Sequence, residues 1–183
     1  MYLLGDVSGH RLADRTIENF IWTEENELVK KVVYSFFYSE DWDRGVGIVG
    51  GVGVGKTHLL VALYKNRMWR SVYQGRPVPA WLSFQEFVSE ARKDRDFVKG
   101  LVSEFGIIFV DDVWCAGMGW EEKNLLRELV LYCYDKGKVL CYTSNFSVRE
   151  WEVDERVKDR IEEMCVEVEL KGSSFRKVIG AIK

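Results

Sequence analysis

The stretch GGVGVGKT at residues 50–57 decides how this chain folds, because it needs a strand before it and a helix after it. Residues 46–49 form an apolar run ahead of it, and Leu59, Leu60, Ala62 and Leu63 follow it at helical spacing. In the pattern G-x-x-x-x-G-K-[ST], glycines let backbone N–H groups turn toward an anion, and the following helix N-terminus adds its positive dipole end. The stretch therefore predicts a phosphate-binding loop.

The residue types that close this loop predict nucleotide binding. We expect Lys56 to neutralise the β- and γ-phosphates as a point charge, and the Thr57 hydroxyl to take one coordination position on Mg²⁺. The alternative is a glycine-rich turn that only joins a strand to a helix, but it explains neither Lys56 nor Thr57. The residues assigned to cofactor binding are Gly50, Gly51, Val52, Gly53, Val54, Gly55, Lys56 and Thr57.

The composition is that of one globular domain, with 183 residues of which 47% are hydrophobic and 30% charged. A net charge of −3 argues against a protein that coats nucleic acid over its whole surface, although it leaves a local basic patch open. There is no N-terminal signal pattern and no apolar run of about 18 residues, so we expect a soluble protein of the cytoplasm without membrane contact.

The four cysteines include no C-x-x-C pair, and the two histidines lie far from them in the sequence. A zinc site needs tighter ligand spacing than this. We therefore expect reduced, buried thiols at Cys115, Cys133, Cys141 and Cys165.

Strand and helix patterns alternate along the chain. An amphipathic helix of about four turns begins at Thr23, with Leu28, Val29, Val32, Val33, Phe36 and Phe37 on one face. The pairs Ser83/Glu86 and Ser147/Glu150 have the spacing of capping boxes. Strands are expected at residues 46–49, 79–82, 107–110, 139–142 and 166–170, and helices at 58–70, 83–93, 96–104, 120–135 and 154–164. This rhythm predicts βαβ units, and hence an α/β fold with a mainly parallel five-stranded sheet flanked by helices.

The apolar strand at residues 107–110 ends in two aspartates, which is the form of a Walker B element. We assign Asp111 to the Mg²⁺ shell. Asp112 is then placed to orient and polarise a water that attacks the γ-phosphate. The alternative is an acidic turn between a strand and a loop.

The next strand ends in Thr143-Ser144-Asn145. Because parallel strands end at the same edge of a sheet, Asn145 is a candidate for contact with the attacking water or the γ-phosphate. The alternative is a turn residue whose side chain caps the backbone.

These motifs resemble the bacterial helicase-loader ATPases of the DnaC and DnaI type, together with the transposition helpers of the IstB type. The resemblance covers residues 16–177 approximately. It depends on IENF at 17–20, GVGKTHL at 53–59, VDD at 110–112, TSNFS at 143–147, ERVKDRI at 155–161 and KGSSFR at 171–176.

The resemblance implies a three-layer P-loop NTPase fold of the AAA+ type, hydrolysis of ATP with Mg²⁺, and action as a homo-oligomer. It identifies Asn145 as sensor 1 and Arg160 as an arginine finger offered to a neighbouring subunit, with Arg156 beside it. It also identifies Arg176 as sensor 2. A guanidinium at the γ-phosphate stabilises the charge that develops there. The alternative is that Arg156 and Arg160 pair with acidic residues of their own solvated helix, at Glu152, Glu155 or Glu163.

His58 follows Thr57 in the family motif and is grouped with the cofactor-binding residues. At the start of a helix we expect it to pack or cap rather than to catalyse.

Two features depart from the family pattern. In the loaders a branched apolar residue and a glycine commonly follow Asp-Asp, whereas here Val113 and Trp114 lead into an unusual loop, which we interpret as a contact for a specialised partner. The loaders also carry a separate helicase-binding domain. Only about twenty residues precede the matching region, so we expect a short N-terminal segment at 1–22 and an AAA+ domain at 23–183.

The resemblance further suggests that the helical pair at 84–104 contacts single-stranded DNA. Arg92, Lys93, Arg95 and Lys99 are candidates for phosphate contacts there, and Phe97 for stacking on a base. An ordinary solvated face is the alternative, because Asp94, Asp96 and Glu104 dilute the positive charge.

The leading hypothesis is an AAA+ ATPase that helps to assemble replication or transposition machinery, with a replicative helicase or a transposase as its partner. A small phosphotransferase of the nucleotide-kinase type is one alternative, because such enzymes share the phosphate loop. A binding module that uses ATP only to hold its shape or to oligomerise is another.

Overall fold

A computed structural model describes residues 12–113 and 117–174. Its sheet is formed by β1 (Gly45–Gly50), β2 (Ala80–Ser83), β3 (Ile107–Asp111), β4 (Val139–Ser144) and β5 (Cys165–Leu170). The strands lie in the order β2-β3-β4-β1-β5, and each neighbouring pair is parallel. The predicted α/β fold with a parallel five-stranded sheet is confirmed.

Helices cover both faces of this sheet. They are α1 (Glu27–Tyr38), α2 (Lys56–Gln74), α3 (Phe84–Lys93), α4 (Phe97–Glu104), α5 (Trp120–Asp135) and α6 (Glu155–Met164), with short 3₁₀ helices at Glu24–Asn26 and Val148–Glu150. One apolar cluster packs α1 and α2 against the sheet, and a second packs α3 to α6 against the other face. In β3, Phe109 points to the first cluster while Ile108 and Val110 point to the second. This alternation explains why residues 107–110 of β3 are all apolar. The helices on both faces of the sheet give the three layers that were expected.

Two element ends differ from the sequence expectation. Helix α2 continues to Gln74, four residues beyond the expected end, and stops at Gly75, whose φ of +65° suits a helix C-cap. Strand β4 runs through Thr143 and Ser144, because both residues pair with β1. The site residue Asn145 therefore follows the strand directly.

The apolar face of α1 is narrower than its sequence pattern indicated. Val29 and Val33 are buried, whereas Leu28 is 70% exposed. Successive residues differ by about 100° around a helix, so Leu28 lies outside the stripe centred on Val29 and Val33. The assignment of Leu28 to the buried face was wrong.

Both predicted capping boxes are present, although only the first one opens an α-helix. Ser83 Oγ accepts from the Glu86 N–H at 3.2 Å, while the Ser83 N–H donates to the Glu86 carboxylate at 2.8 Å, so this capping box opens α3. The Ser147 N–H donates to the Glu150 carboxylate at 2.9 Å, but this pair opens a 3₁₀ helix. Helix α6 is capped by Asp154 instead.

Three of the cysteines are buried free thiols: Cys133, Cys141 and Cys165. Burial raises the pKa of the Cys133 and Cys141 thiols to about 12, so both stay protonated at neutral pH. Cys115 lies outside the described residues. Within the part of the chain that the structure describes, no helix is long and apolar enough to cross a membrane.

Candidate nucleotide-binding site

The phosphate loop connects the carboxyl end of β1 to the first turn of α2. Gly50, Gly53 and Gly55 have φ angles of +142°, +82° and +108°, which side chains rarely adopt. A Cβ on Gly55 would also lie 2.7 Å from the Phe20 ring, and one on Gly50 would lie 2.2 Å from the Leu170 carbonyl oxygen. Both the turn and the packing around it therefore require glycine.

Lys56 begins α2 and directs its amine back into the loop. The ammonium donates to the carbonyl oxygens of Gly50 and Gly51 at 2.9 and 2.8 Å, and to Asn145 Oδ1 at 2.8 Å. The residue is only 8% exposed. The structure thus brings together two predicted site residues, Lys56 and Asn145, that lie 89 positions apart in the sequence.

Asp111 ends β3, and two hydroxyl groups donate to one of its oxygens. Thr57 Oγ1 lies 3.0 Å and Thr143 Oγ1 2.6 Å from Asp111 Oδ1. Burial raises the pKa of Asp111, although the two donated hydrogen bonds act in the opposite direction. The carboxylate is therefore fixed beside the first turn of α2, where the phosphate loop ends.

The oxygens of Thr57 and Asp111 fit Mg²⁺. Magnesium favours oxygen ligands at about 2.1 Å in octahedral geometry, in which adjacent ligands lie roughly 3 Å apart. The Thr57 and Asp111 oxygens are 3.0 Å apart. Among the described residues no three His, Cys, Asp or Glu side chains group as metal ligands.

Asp112 has an unusual backbone. Its φ is +57°, the sole positive value at a non-glycine position in residues 12–113 and 117–174. The Asp112 N–H donates to Thr143 Oγ1 at 2.8 Å, and the Val113 N–H donates to the Thr143 carbonyl oxygen at 2.8 Å. Such strained backbone is typical of functional sites, where the surrounding structure imposes it. The turn that follows β3 is thus held by β4.

Thr143 is the site residue that sequence reasoning missed. The sequence pattern included it only as a neighbour of Asn145, yet it contacts both Asp111 and Asp112. It is 1% exposed. The available signal was a pair of hydroxyl residues, Thr143 and Ser144, at the end of a strand that begins with apolar residues.

His58 packs as expected for a residue at a helix start. Its Nε2 lies 2.7 Å from the Thr16 carbonyl oxygen, and its ring meets the Phe20 ring edge-on at 5.2 Å between centroids. Burial lowers the pKa of His58. Further along α2, Lys65 donates to the Leu12 carbonyl oxygen, so residues 12–20 lie against this helix. The domain boundary placed at residue 22 stays a prediction.

Arg160 is held by residues of its own chain. Its guanidinium donates to the Tyr134 hydroxyl at 2.8 Å, stacks over the Tyr134 ring at 3.9 Å and pairs with Glu163 at 3.1 Å. The pair with Glu163 is the one that the solvated-helix alternative describes. Arg156 is exposed. The finger role of Arg160 stays a prediction, and Arg176 lies outside the described residues.

The basic residues proposed for DNA contact are mostly paired with acidic neighbours. Arg92 contacts Glu121 and Glu122 at 2.7 and 2.6 Å. Lys93 pairs with Glu90 at 2.6 Å, and Lys99 with Asp96 at 3.6 Å. Arg95 is exposed. This arrangement resembles the solvated-face alternative.

Phe97 does not offer a ring for stacking. It is 1% exposed, and its ring packs 6.1 Å from the Phe87 ring in the core formed by α3 to α6. The prediction that Phe97 stacks on a base was wrong, because the apolar side of α4 closes this core. In the unusual loop after Val113, which the sequence predicts to be a partner contact, Trp114 and Cys115 lie outside the described residues.

Comparison with known proteins gives one family and several relatives. A family model described as "IstB-like ATP binding protein" matches residues 9–179. The chromosomal replication initiator protein DnaA of Treponema pallidum is 29% identical over 148 residues, which cover 75% of this chain and 30% of the relative. The chain therefore spans 30% of the length of the curated relatives that it matches.

Solved structures share the fold. The crystal structure of the DnaC helicase loader superposes with a TM-score of 0.73 at 19% identity, covering 88% of this chain and 99% of that chain. The replication initiator DnaA bound to AMPPCP and single-stranded DNA gives 0.64 at 23% identity, covering 92% of this chain and 54% of that chain. At these identities the likeness establishes the fold alone, a parallel five-stranded sheet with helices on both faces.

The raised pKa of Asp111 predicts a gain in stability when its charge is removed. Above the ordinary pKa of a carboxyl group, the unfolded chain ionises Asp111 freely, whereas the folded chain must ionise it in a buried place. Ionisation of Asp111 therefore lowers the free energy of unfolding as pH rises. Asp111→Asn keeps an acceptor for Thr57 and Thr143. In thermal unfolding with EDTA, we expect the Asp111→Asn variant to melt a few degrees above wild type near about pH 7.5. The difference in melting temperature should become smaller toward about pH 4.

Asp159→Asn provides the control, since it removes an exposed carboxylate and should leave the melting temperature near that of wild type. An Asp111→Asn melting temperature at or below wild type at neutral pH would contradict this assignment.

Proposed function

The chain belongs to the IstB-like ATP binding protein family, and we propose that this AAA+ protein hydrolyses ATP with Mg²⁺ to act on a DNA-processing partner. The observation that carries the proposal is the meeting of Thr57 and Asp111 at 3.0 Å, beside the amine of Lys56. A loop that only joined a strand to a helix would need none of these three groups. Together they supply a cation for phosphate and oxygen ligands for a metal ion.

Each residue of the site has a separate role in the transfer of the γ-phosphoryl group to water. Lys56 exchanges its carbonyl and Asn145 acceptors for the β- and γ-phosphate oxygens, and Thr57 and Asp111 hold the metal ion. When bound, Mg²⁺ neutralises the charge that develops on the phosphates. Asp112 orients the attacking water and accepts its proton. Asn145, released from the Lys56 amine, is then able to position that water or the γ-phosphate.

We propose that a second copy of the chain completes the site. Arg160 is offered from α6, where Tyr134 and Glu163 hold its guanidinium while the side chain stays 29% exposed. Arg176 keeps its separate proposed role as sensor 2. A guanidinium that reaches the γ-phosphate only in the assembled state makes hydrolysis depend on assembly.

The proposed partner is a replicative helicase or a transposase, and the cytoplasm is the proposed location. The similarity to the DnaC helicase loader and to DnaA bound to single-stranded DNA supports this assignment. Contact with single-stranded DNA through α3 and α4 remains part of the proposal. Arg95 is available for it directly, whereas Arg92, Lys93 and Lys99 must exchange their acidic partners for phosphates.

Family membership favours an ATPase over the phosphotransferase alternative. The third reading, a module that binds ATP without turnover, differs from ours in one residue. Such a module has no use for a carboxylate placed to orient water, so Asp112 discriminates between them.

Changing Asp112→Asn tests the hydrolytic role. We expect ATP affinity to stay within about threefold of wild type, while turnover falls by about 10²-fold or more, because the water loses its general base. The measurements are titration with a fluorescent ATP analogue and release of phosphate. Lys56→Ala is the matched binding control and should weaken affinity at least about tenfold. Unchanged turnover in the first variant, or unchanged affinity in the second, would overturn these roles.

Mixing two inactive proteins tests the shared site. Arg160→Ala lacks the finger, and Asp112→Asn lacks the general base, so each assembly alone should be inactive. A mixed interface can combine the intact Asp112 of one copy with the intact Arg160 of the other. We therefore expect partial recovery of phosphate release, on the order of one quarter of wild type for random dimeric interfaces. Absence of recovery in confirmed mixed assemblies would argue against action in trans.

A further inference from the structure

We propose that Thr143 is a positioning residue for ATP hydrolysis, because its hydroxyl ties together the two aspartates that follow one another at the end of β3. The inference rests on the proposed function, since it assigns a role within the same site. It concerns a residue that contacts neither phosphate nor metal in this proposal and acts through its neighbours.

The hydroxyl of Thr143 uses both of its hydrogen-bonding capacities at this point. It donates to Asp111 Oδ1 at 2.6 Å and accepts from the Asp112 N–H at 2.8 Å. A threonine hydroxyl has one hydrogen to donate, so that hydrogen is committed to Asp111. The Thr143 carbonyl oxygen adds a third link, accepting from the Val113 N–H at 2.8 Å. One residue of β4 thus bonds three consecutive residues.

The position of Thr143 is itself well determined. It is 1% exposed and pairs with Ile48 of β1, the strand that leads into the phosphate loop. The phosphate loop and the two aspartates therefore both adjoin strands that pair with β4, the central strand of the sheet. A hydroxyl placed here fixes the carboxylate of Asp111 and the backbone of Asp112 relative to the sheet.

The link to Asp112 matters because the Asp112 backbone is strained. A non-glycine residue at φ +57° is unfavourable, and it persists only where neighbours impose it. Without the Thr143 hydroxyl, the Asp112 N–H loses its acceptor, and the turn gains freedom to relax. A carboxylate that must orient water tolerates little displacement, since misplacement by about 1 Å can cost about 10²-fold in rate.

The link to Asp111 matters for a different reason. Thr57 and Thr143 approach the same oxygen from α2 and β4, so the carboxylate is held from two elements at once. Losing the Thr143 donor leaves Thr57 to hold it alone. Binding of ATP through the loop and Lys56 does not use this contact, so the loss should appear in turnover rather than in affinity.

Two variants separate the hydroxyl from the packing of the side chain. Thr143→Val keeps the branched shape and removes the hydroxyl, whereas Thr143→Ser keeps the hydroxyl and removes the methyl group. We expect Thr143→Val to lower kcat by about 10- to 100-fold, with ATP affinity within about threefold of wild type. Thr143→Ser should retain kcat within about threefold.

The assays are phosphate release, giving kcat and KM, and titration with a fluorescent ATP analogue, with thermal unfolding to confirm folding. Ser35→Ala is the control, since its exposed hydroxyl bonds the Val32 carbonyl oxygen of its own helix, α1, and its kcat should equal that of wild type. If Thr143→Val does not fold, Thr143→Ala is measured against the same expectation.

The outcomes separate this inference from the function beneath it. A wild-type kcat in the folded variant that lacks the hydroxyl overturns the inference, and so does a Thr143→Ser variant as slow as Thr143→Val. Loss of ATP affinity in parallel with kcat also overturns it. A wild-type chain that releases no phosphate overturns the proposed function itself, and the inference with it.

Discussion

The hydrogen bond between Thr57 and Asp111 connects residues 54 positions apart, and the candidate site depends on it. It joins the first turn of α2 to the end of β3, which places the phosphate loop beside a carboxylate. Neither the phosphate loop nor the Asp111 carboxylate is sufficient for phosphate chemistry by itself. The loop alone would bind an anion weakly, and the carboxylate alone would repel an anion. Side by side, they are able to hold a nucleotide together with a metal ion.

The order of the strands explains how this contact forms. Strand β4 lies between β3 and β1, so the phosphate loop, Asn145 and Asp111 lie at the carboxyl ends of three adjacent strands of a parallel sheet. All three therefore meet at one edge, where ligands bind in open α/β sheets. One apolar cluster on each face of the sheet holds the strands in place. The edge that carries the site contains polar groups whose burial or backbone conformation opposes folding. The buried carboxyl of Asp111 and the strained backbone of Asp112 are the clearest cases, and both are typical of sites kept for function rather than stability.

The parts of the molecule that the sequence predicted are those encoded locally. The phosphate loop could be recognised because its glycines, Lys56 and Thr57 occupy fixed spacings, and β3 because a doubly buried strand must be apolar. The role of Thr143 could not be recognised in this way, since it depends on which strand lies beside β3. The burial of Phe97 and the pairing of Arg92 with glutamates of α5 depend in the same manner on tertiary packing. Leu28 shows the complementary limit, because helical spacing marks an apolar stripe but not its edges.

The release of phosphate from ATP by the wild-type chain tests the central claim, a metal-dependent site shared between copies, most directly. The rate per chain is measured over a range of protein concentrations, with Mg²⁺ or with EDTA, alongside the mass in solution. A shared, metal-dependent site predicts release that requires Mg²⁺ and a rate per chain that rises as copies assemble. An equal rate in EDTA, or a rate per chain that stays constant down to the monomer, would contradict it.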